Sequence, residues 1–147
     1  MTLDHTIRQA YINTLLDGGF TRLADHTVNP TEGYIVGGVT EPTTMNLHTG
    51  KIKEVSVLTI AEFEEFKELW NKYELQLAET IQLDNLCSKG ILHKYAAGMG
   101  VGTWIHDGKI YFDLVQHLYS LDVATDIAKK RNEIAIYDCK NQKDILL

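Results

Sequence analysis

The sequence predicts an α+β fold: an antiparallel or mixed sheet, one long amphipathic helix and a C-terminal β-hairpin-α-β unit. Three stretches carry that expectation. Two β-prone runs, 102–106 and 109–115, flank Asp107-Gly108, a pair that favours the type I′ turn whose twist suits a hairpin. Within 60–81, Phe63, Phe66, Trp70, Tyr73, Leu77 and Ile81 recur at three- and four-residue steps, while Glu64, Glu65, Glu68, Lys72 and Glu79 take the other side. After the hairpin, a polar helical segment ends on Ala128-Lys129-Lys130-Arg131-Asn132 and runs straight into a strand that includes Ile134-Ala135-Ile136-Tyr137-Asp138.

Each remaining element follows from local pattern. Leu3, Ile7, Tyr11 and Leu15 form a stripe that Ile12 and Leu16 widen, so 3–17 reads as a helix stopped by Gly18-Gly19. Phe20–Ala24 reads as a short strand. Asn29-Pro30-Thr31-Glu32-Gly33 is turn chemistry leading into the apolar run Tyr34-Ile35-Val36, which ends at Gly37-Gly38. His48-Thr49-Gly50-Lys51 predicts a turn before a strand over 52–58. Thr59 and Glu62 have capping-box spacing, in which the hydroxyl takes an orphan amide and the carboxylate reaches back, so the long helix starts there. Its aromatic stripe faces either the core or a subunit interface. From Gln82 to Gly102 glycines interrupt short apolar pieces, and the chain reads as irregular. No repeat, low-complexity tract or Pro/Ser linker divides residues 1–147, which read as a single α+β domain.

Bulk properties exclude several function classes. The 147 residues are 44% hydrophobic, enough for a core without staples. Cys87 and Cys139 form no CxxC pair, which argues against a disulfide framework or zinc knuckle and fits a reducing cytosol. There is no basic segment followed by an apolar run at the start, nor a stretch of about 18 apolar residues, so the expectation is a cytoplasmic protein without a membrane partner. The net charge of −6 resides in 54–84, where eight acidic residues meet two lysines. That acidity argues against duplex nucleic acid, which needs a lysine and arginine footprint, and leaves a small anionic ligand open.

Catalysis finds little support. There is no GxSxG, no HxxxH, HxH or HExxH, and no histidine beside either cysteine, so no enzyme, metal or cofactor is expected. Gly98-Met99-Gly100-Val101-Gly102 precedes a strand, whereas pyrophosphate binding needs a following helix N-terminus; glycines admitting a close neighbour or a bulge explain it better. Asp107 is turn chemistry, and Asp113 and Asp138 read as caps or lysine partners. Lys129-Lys130-Arg131-Asn132 supports two compatible readings. Cations stabilise the negative end of a helix by about 0.3–1 kcal/mol, and asparagine tolerates a left-handed cap. Alternatively, Arg131 and a lysine reach a phosphate while Asn132 reads a base edge. Trp104, Tyr111 or Tyr119 would supply a stacking surface, and His106 shares a strand face with Trp104.

Thr31–Gly38, the Trp-x-x-Asp-Gly-x-x-Tyr-x-Asp hairpin at 104–113 and Arg131–Asp138 together resemble a family of short tailed-phage proteins, over nearly the whole chain and in order. Where members commonly carry Asn-Gln-Ile-Ala-Ile, this chain has Asn132-Glu133-Ile134-Ala135-Ile136, which weakens any role carried over to residue 133. The plan is similar to the sponge proteins that sequester the cyclic ADP-ribose signal of Thoeris immunity, small α+β oligomers that bury a nucleotide between subunits unaltered. That resemblance implies an anti-defence protein of the host cytosol, a homo-oligomer whose cyclic nucleotide ligand meets Trp104, His106, Lys109, Tyr119, Arg131 and Asn132. Tyr119 and Asn132 would grip adenine or ribose, and Arg131 with Lys109 would neutralise phosphates. The rival expectation is a protein-binding inhibitor of a host defence complex that uses the acidic helix 60–81.

Overall fold

The computed structural model describes residues 3–47, 60–86 and 98–147. These form α1 (Leu3–Asp17), β1 (Gly19–Leu23), β2 (Tyr34–Val36), β3 (Thr43–Asn46), α2 (Ile60–Leu86), β4 (Met99–His106), β5 (Lys109–Leu118), α3 (Leu121–Lys130), β6 (Ala135–Asp138) and β7 (Lys143–Leu146). The architecture is α+β. The seven described strands join one antiparallel sheet in the order β1-β4-β5-β2-β6-β7, with β3 also on β5.

Strand β5 organises the sheet. One edge pairs with β4 from Met99↔Gln116 to His106↔Lys109. The opposite edge is shared: β3 takes one end through Phe112↔Thr43, and β2 takes the other through Gln116↔Val36. The connection from Gly37 to Pro42 crosses the interval between them, and the Val39 N–H reaches Leu114 O at 3.4 Å. At the hairpin tip Asp107 and Gly108 have φ of 52° and 73°, the two positive values a type I′ turn demands.

The core lies between α1, α2 and one face of the sheet. Because strand side chains alternate, Ile110, Phe112 and Leu114 of β5 join Met99 and Val101 of β4 on that face. They meet Ile7, Tyr11 and Leu15 of α1 and Phe66, Trp70, Tyr73 and Leu77 of α2. The aromatic stripe of α2 is therefore core rather than a subunit contact. Phe66 sits 5.0 Å from the rings of both Tyr11 and Phe112. In α1 the buried stripe runs through Ala10 and Thr14, and Leu16 faces solvent. The Thr14 hydroxyl donates to Ala10 O and lies 2.6 Å from Thr103 Oγ1, which makes the position tolerable in a core. Helix α3 buries Ala124 and Ala128 against Val36 and Ile136.

Several boundaries differ from the local reading. Strands β3 and β7 have no counterpart in it, since Thr43–Asn46 holds one apolar residue and neither segment alternates strongly. Helix α2 runs on to Leu86 and β4 begins at Met99, so both reach into the stretch that the sequence reads as irregular. The predicted turn at 48–51, the strand over 52–58, Thr59 of the capping box and the centre of the glycine-interrupted segment lie outside the described residues. Glu62 is buried and accepts a 3.4 Å hydrogen bond from the Tyr11 hydroxyl. No helix among the described residues is long and apolar enough to cross a membrane.

Candidate functional site

The sheet face turned away from α1 and α2 carries an aromatic platform. A cross-strand row runs Gly19, Trp104, Tyr111, Thr44 through β1, β4, β5 and β3. Trp104 and Tyr111 stack with centroids 4.3 Å apart and planes 17° from parallel. This pairing follows from the two-residue turn, which sets residues 104 and 111 directly opposite. The His106 ring lies 5.8 Å from the indole, and Lys109 stands across from His106; both are exposed. Trp104 is 43% exposed. Tyr111 covers one flank of the indole, and the neighbour on the other flank, Gly19, has no side chain. A Cβ at Gly19 would stand 2.9 Å from Thr103 O, so β1 approaches β4 too closely for a larger residue.

Tyr119 lies just past the far end of β5, and the Arg131 guanidinium reaches Gln116, seven residues along that strand from Lys109. At about 3.4 Å per residue, Lys109 stands roughly 24 Å from Gln116 and more than about 30 Å from Tyr119, so the six residues named from sequence do not converge within one chain. Tyr119 is 75% exposed and meets His117 edge-on at 4.8 Å. His117 Nε2 is 2.6 Å from Glu32 O.

Of the two readings of 129–132, the structure shows the helix cap, and it does not bring Arg131 and Asn132 together on one ligand surface. Ser120 caps the start of α3 by accepting from the Val123 N–H at 3.3 Å. Its other end closes through Glu133 N–H to Ala128 O at 2.9 Å and Asn132 N–H to Lys129 O at 3.1 Å, with Asn132 at φ 58°. This is a Schellman cap with asparagine in the left-handed position, and Asn132 is exposed. The Arg131 guanidinium turns inward, donating to Gly37 O at 3.2 Å and to Gln116 Oε1. Burial holds its pKa below the usual arginine range, against the pull of Glu133 and Asp113.

A cluster that local pattern missed lies beneath Gly37-Gly38. Asp113 is neither a helix cap nor a lysine partner there: it is 7% exposed, and its Oδ2 accepts the Gly38 N–H at 2.9 Å. Its Oδ1 is buried without a hydrogen-bond partner. Burial, reinforced by the Glu133 charge, pushes this carboxyl up to about 7 against opposing hydrogen bonds and Arg131. Glu133 is also raised by burial, with Arg131 opposing. A Cβ on Gly37 would overlap Asp113 Oδ2 and stand 2.8 Å from Glu133 Oε1, so both carboxylates flank the same glycine. The glycine pair after a strand was the available signal, but it signals only a turn.

The surface of the described residues includes these two depressions. One, of about 380 Å³, is lined by Thr40, Thr43, Lys72, Tyr73 and Gln76 among others. The second, of about 210 Å³, holds the Arg22–Glu74 ion pair, whose carboxylate also accepts from Trp70 Nε1 at 3.0 Å. Neither includes any of the six residues named from sequence. The glycines of 98–102 serve close packing: a Cβ on Gly100 would collide with Arg22 O, and one on Gly102 would stand 2.9 Å from Val115 Cγ1. Comparisons with protein-family models, characterised proteins and solved structures return no match for this chain.

Proposed function

We propose that the protein binds a cyclic nucleotide of the cyclic ADP-ribose type and sequesters it unaltered, acting as a phage counter-defence factor. One observation carries this reading: the half-exposed Trp104, backed by Tyr111 on one flank and bordered by side-chain-free Gly19 on the other. A nucleobase has the planar face such a ring favours, and stacking of this kind contributes about 1–3 kcal/mol. Lys109 and His106 beside the platform supply a cation and a polar ring for phosphate or ribose. Sequestration needs affinity and abundance rather than a nucleophile.

A ligand that also touches Tyr119 needs a second copy of the chain, so a homo-oligomer belongs to this reading. Isothermal titration with cyclic ADP-ribose and related cyclic nucleotides should give a saturable site. Trp104→Ala should weaken it, and mass spectrometry should recover the ligand with unchanged mass. Absence of heat with every member of the series rejects the proposal.

A direct protein-binding inhibitor remains the second reading, favoured by the outer face of α2, where Glu64, Glu65 and Glu68 are exposed and Leu75 is 62% exposed. Recovery of one host protein in a pull-down, lost when the three glutamates are reversed to lysine, would support that reading over the first.

A further inference from the structure

The polar cluster under Gly37-Gly38 joins three segments that are distant in sequence. Asp113 comes from the middle of β5, Gly37 and Gly38 from the strap between β2 and β3, and Arg131 and Glu133 from the connection between α3 and β6. The strap crosses β5 where the sheet edge changes partner, so no continuous strand ladder holds it. Its Gly37–Val39 end is anchored by the Gly38 N–H on Asp113 Oδ2, the Arg131 hydrogen bond to Gly37 O, and the longer Val39 N–H contact with Leu114 O, while Thr40 and Glu41 are held on α2 by Gln76 and the Tyr73 hydroxyl. A side chain on Gly37 would run into Asp113 Oδ2 and Glu133 Oε1, and Gly38 has a φ of 76° that favours glycine.

Buried polar atoms are normally satisfied, and Asp113 Oδ1 is the buried side-chain atom among the described residues that is not. An ionised carboxylate would keep two bare lone pairs there beside a second carboxylate. A protonated one turns that oxygen into a hydroxyl and removes the repulsion. The groups with charge or titration facing Asp113 are Glu133 and Arg131 from the α3–β6 connection and Tyr73 from α2, while Gly38 and Leu114 offer N–H donors.

We propose that protonated Asp113, with Arg131, forms a latch holding the Gly37–Val39 end of the strap against β5, released when the proton passes to solvent. Thr40, Glu41 and Pro42 at the other end of the strap line the 380 Å³ depression, so release of the Gly37–Val39 end adjoins that surface. The latch is independent of the aromatic platform on the hairpin and stands or falls separately from nucleotide binding.

The direction follows from the two states. Closed, Asp113 keeps its proton up to about pH 7; open and solvated, it ionises in the ordinary range near 4. Opening therefore becomes about tenfold easier per pH unit between those limits. The test is amide hydrogen exchange at Gly38 and Val39 by NMR, corrected for the intrinsic pH dependence of exchange, on wild type and Asp113→Asn. In wild type the protection of Gly38 should fall by two to three orders of magnitude between about pH 4 and 7, and in Asp113→Asn it should stay level. Carboxyl carbon shifts of the intact wild type provide a measurement that needs no variant, with Asp113 expected to titrate near 7. Constant wild-type protection, or an Asp113 carboxyl titrating near 4, overturns the latch.

Discussion

Replacing Asp113 with asparagine should abolish a pH dependence of global stability that the wild type carries. The carboxyl moves from 3.8 in the unfolded chain to about 7 in the folded one, chiefly through burial. Each pH unit is worth 1.36 kcal/mol, so the folded state holds a proton worth about 4 kcal/mol across that window. Because the folded pKa of this acid is raised, its contribution is fully present below about pH 4 and is lost as pH climbs to about 7. Asparagine keeps the shape and still accepts the Gly38 N–H, but it has no charge to desolvate. Urea denaturation followed by circular dichroism at pH 4 and pH 8, on both proteins, isolates the effect as a double difference that cancels other carboxylates. The stability of Asp113→Asn relative to wild type should improve by about 4 kcal/mol from the lower to the higher pH. Parallel curves would refute the argument that an unpartnered buried carboxyl sits under the glycine strap.

Four further outcomes test other parts of the structure. Trp104→Ala should cost about 1–3 kcal/mol of nucleotide affinity by titration calorimetry while barely moving the melting temperature, because the indole is half-exposed. Phe66→Ala should lower folding stability by about 3–5 kcal/mol in chemical denaturation, since the ring is fully buried between Tyr11 and Phe112. Ser120→Ala should cost about 1 kcal/mol through loss of its acceptor for the Val123 N–H. Asn132→Gly should leave stability nearly unchanged, while Asn132→Val should cost about 1–2 kcal/mol because residue 132 is left-handed. A large loss in the glycine variant would remove the cap reading.

The parts of this molecule legible from residues are those whose cause is local. The Asp107-Gly108 turn dictates its own φ values, and by symmetry it sets Trp104 opposite Tyr111, so the platform's stacked pair follows from fourteen consecutive residues. The α2 stripe predicts an apolar face, and the α3 terminus predicts a cap at Asn132. What fills the space beyond each element is not local. Packing against β4 and β5 made the α2 stripe core, and pairing with β5 made a strand of Thr43–Asn46 despite its weak alternation.

The site shows the same division. Gly19 reaches the flank of Trp104 because β1 pairs with β4 across a long stretch of chain, and Gly38 meets Asp113 from 75 residues away. Lys109 and Tyr119 are near in sequence yet stand at opposite ends of one extended strand, whereas Arg131 is drawn inward by Gly37 O and Gln116. Turns, caps and helical faces arise from a few adjacent dihedrals and side chains, so composition and spacing suffice to specify them. Convergence of distant charges and rings depends on strand order and register, which are set by the burial of the whole chain.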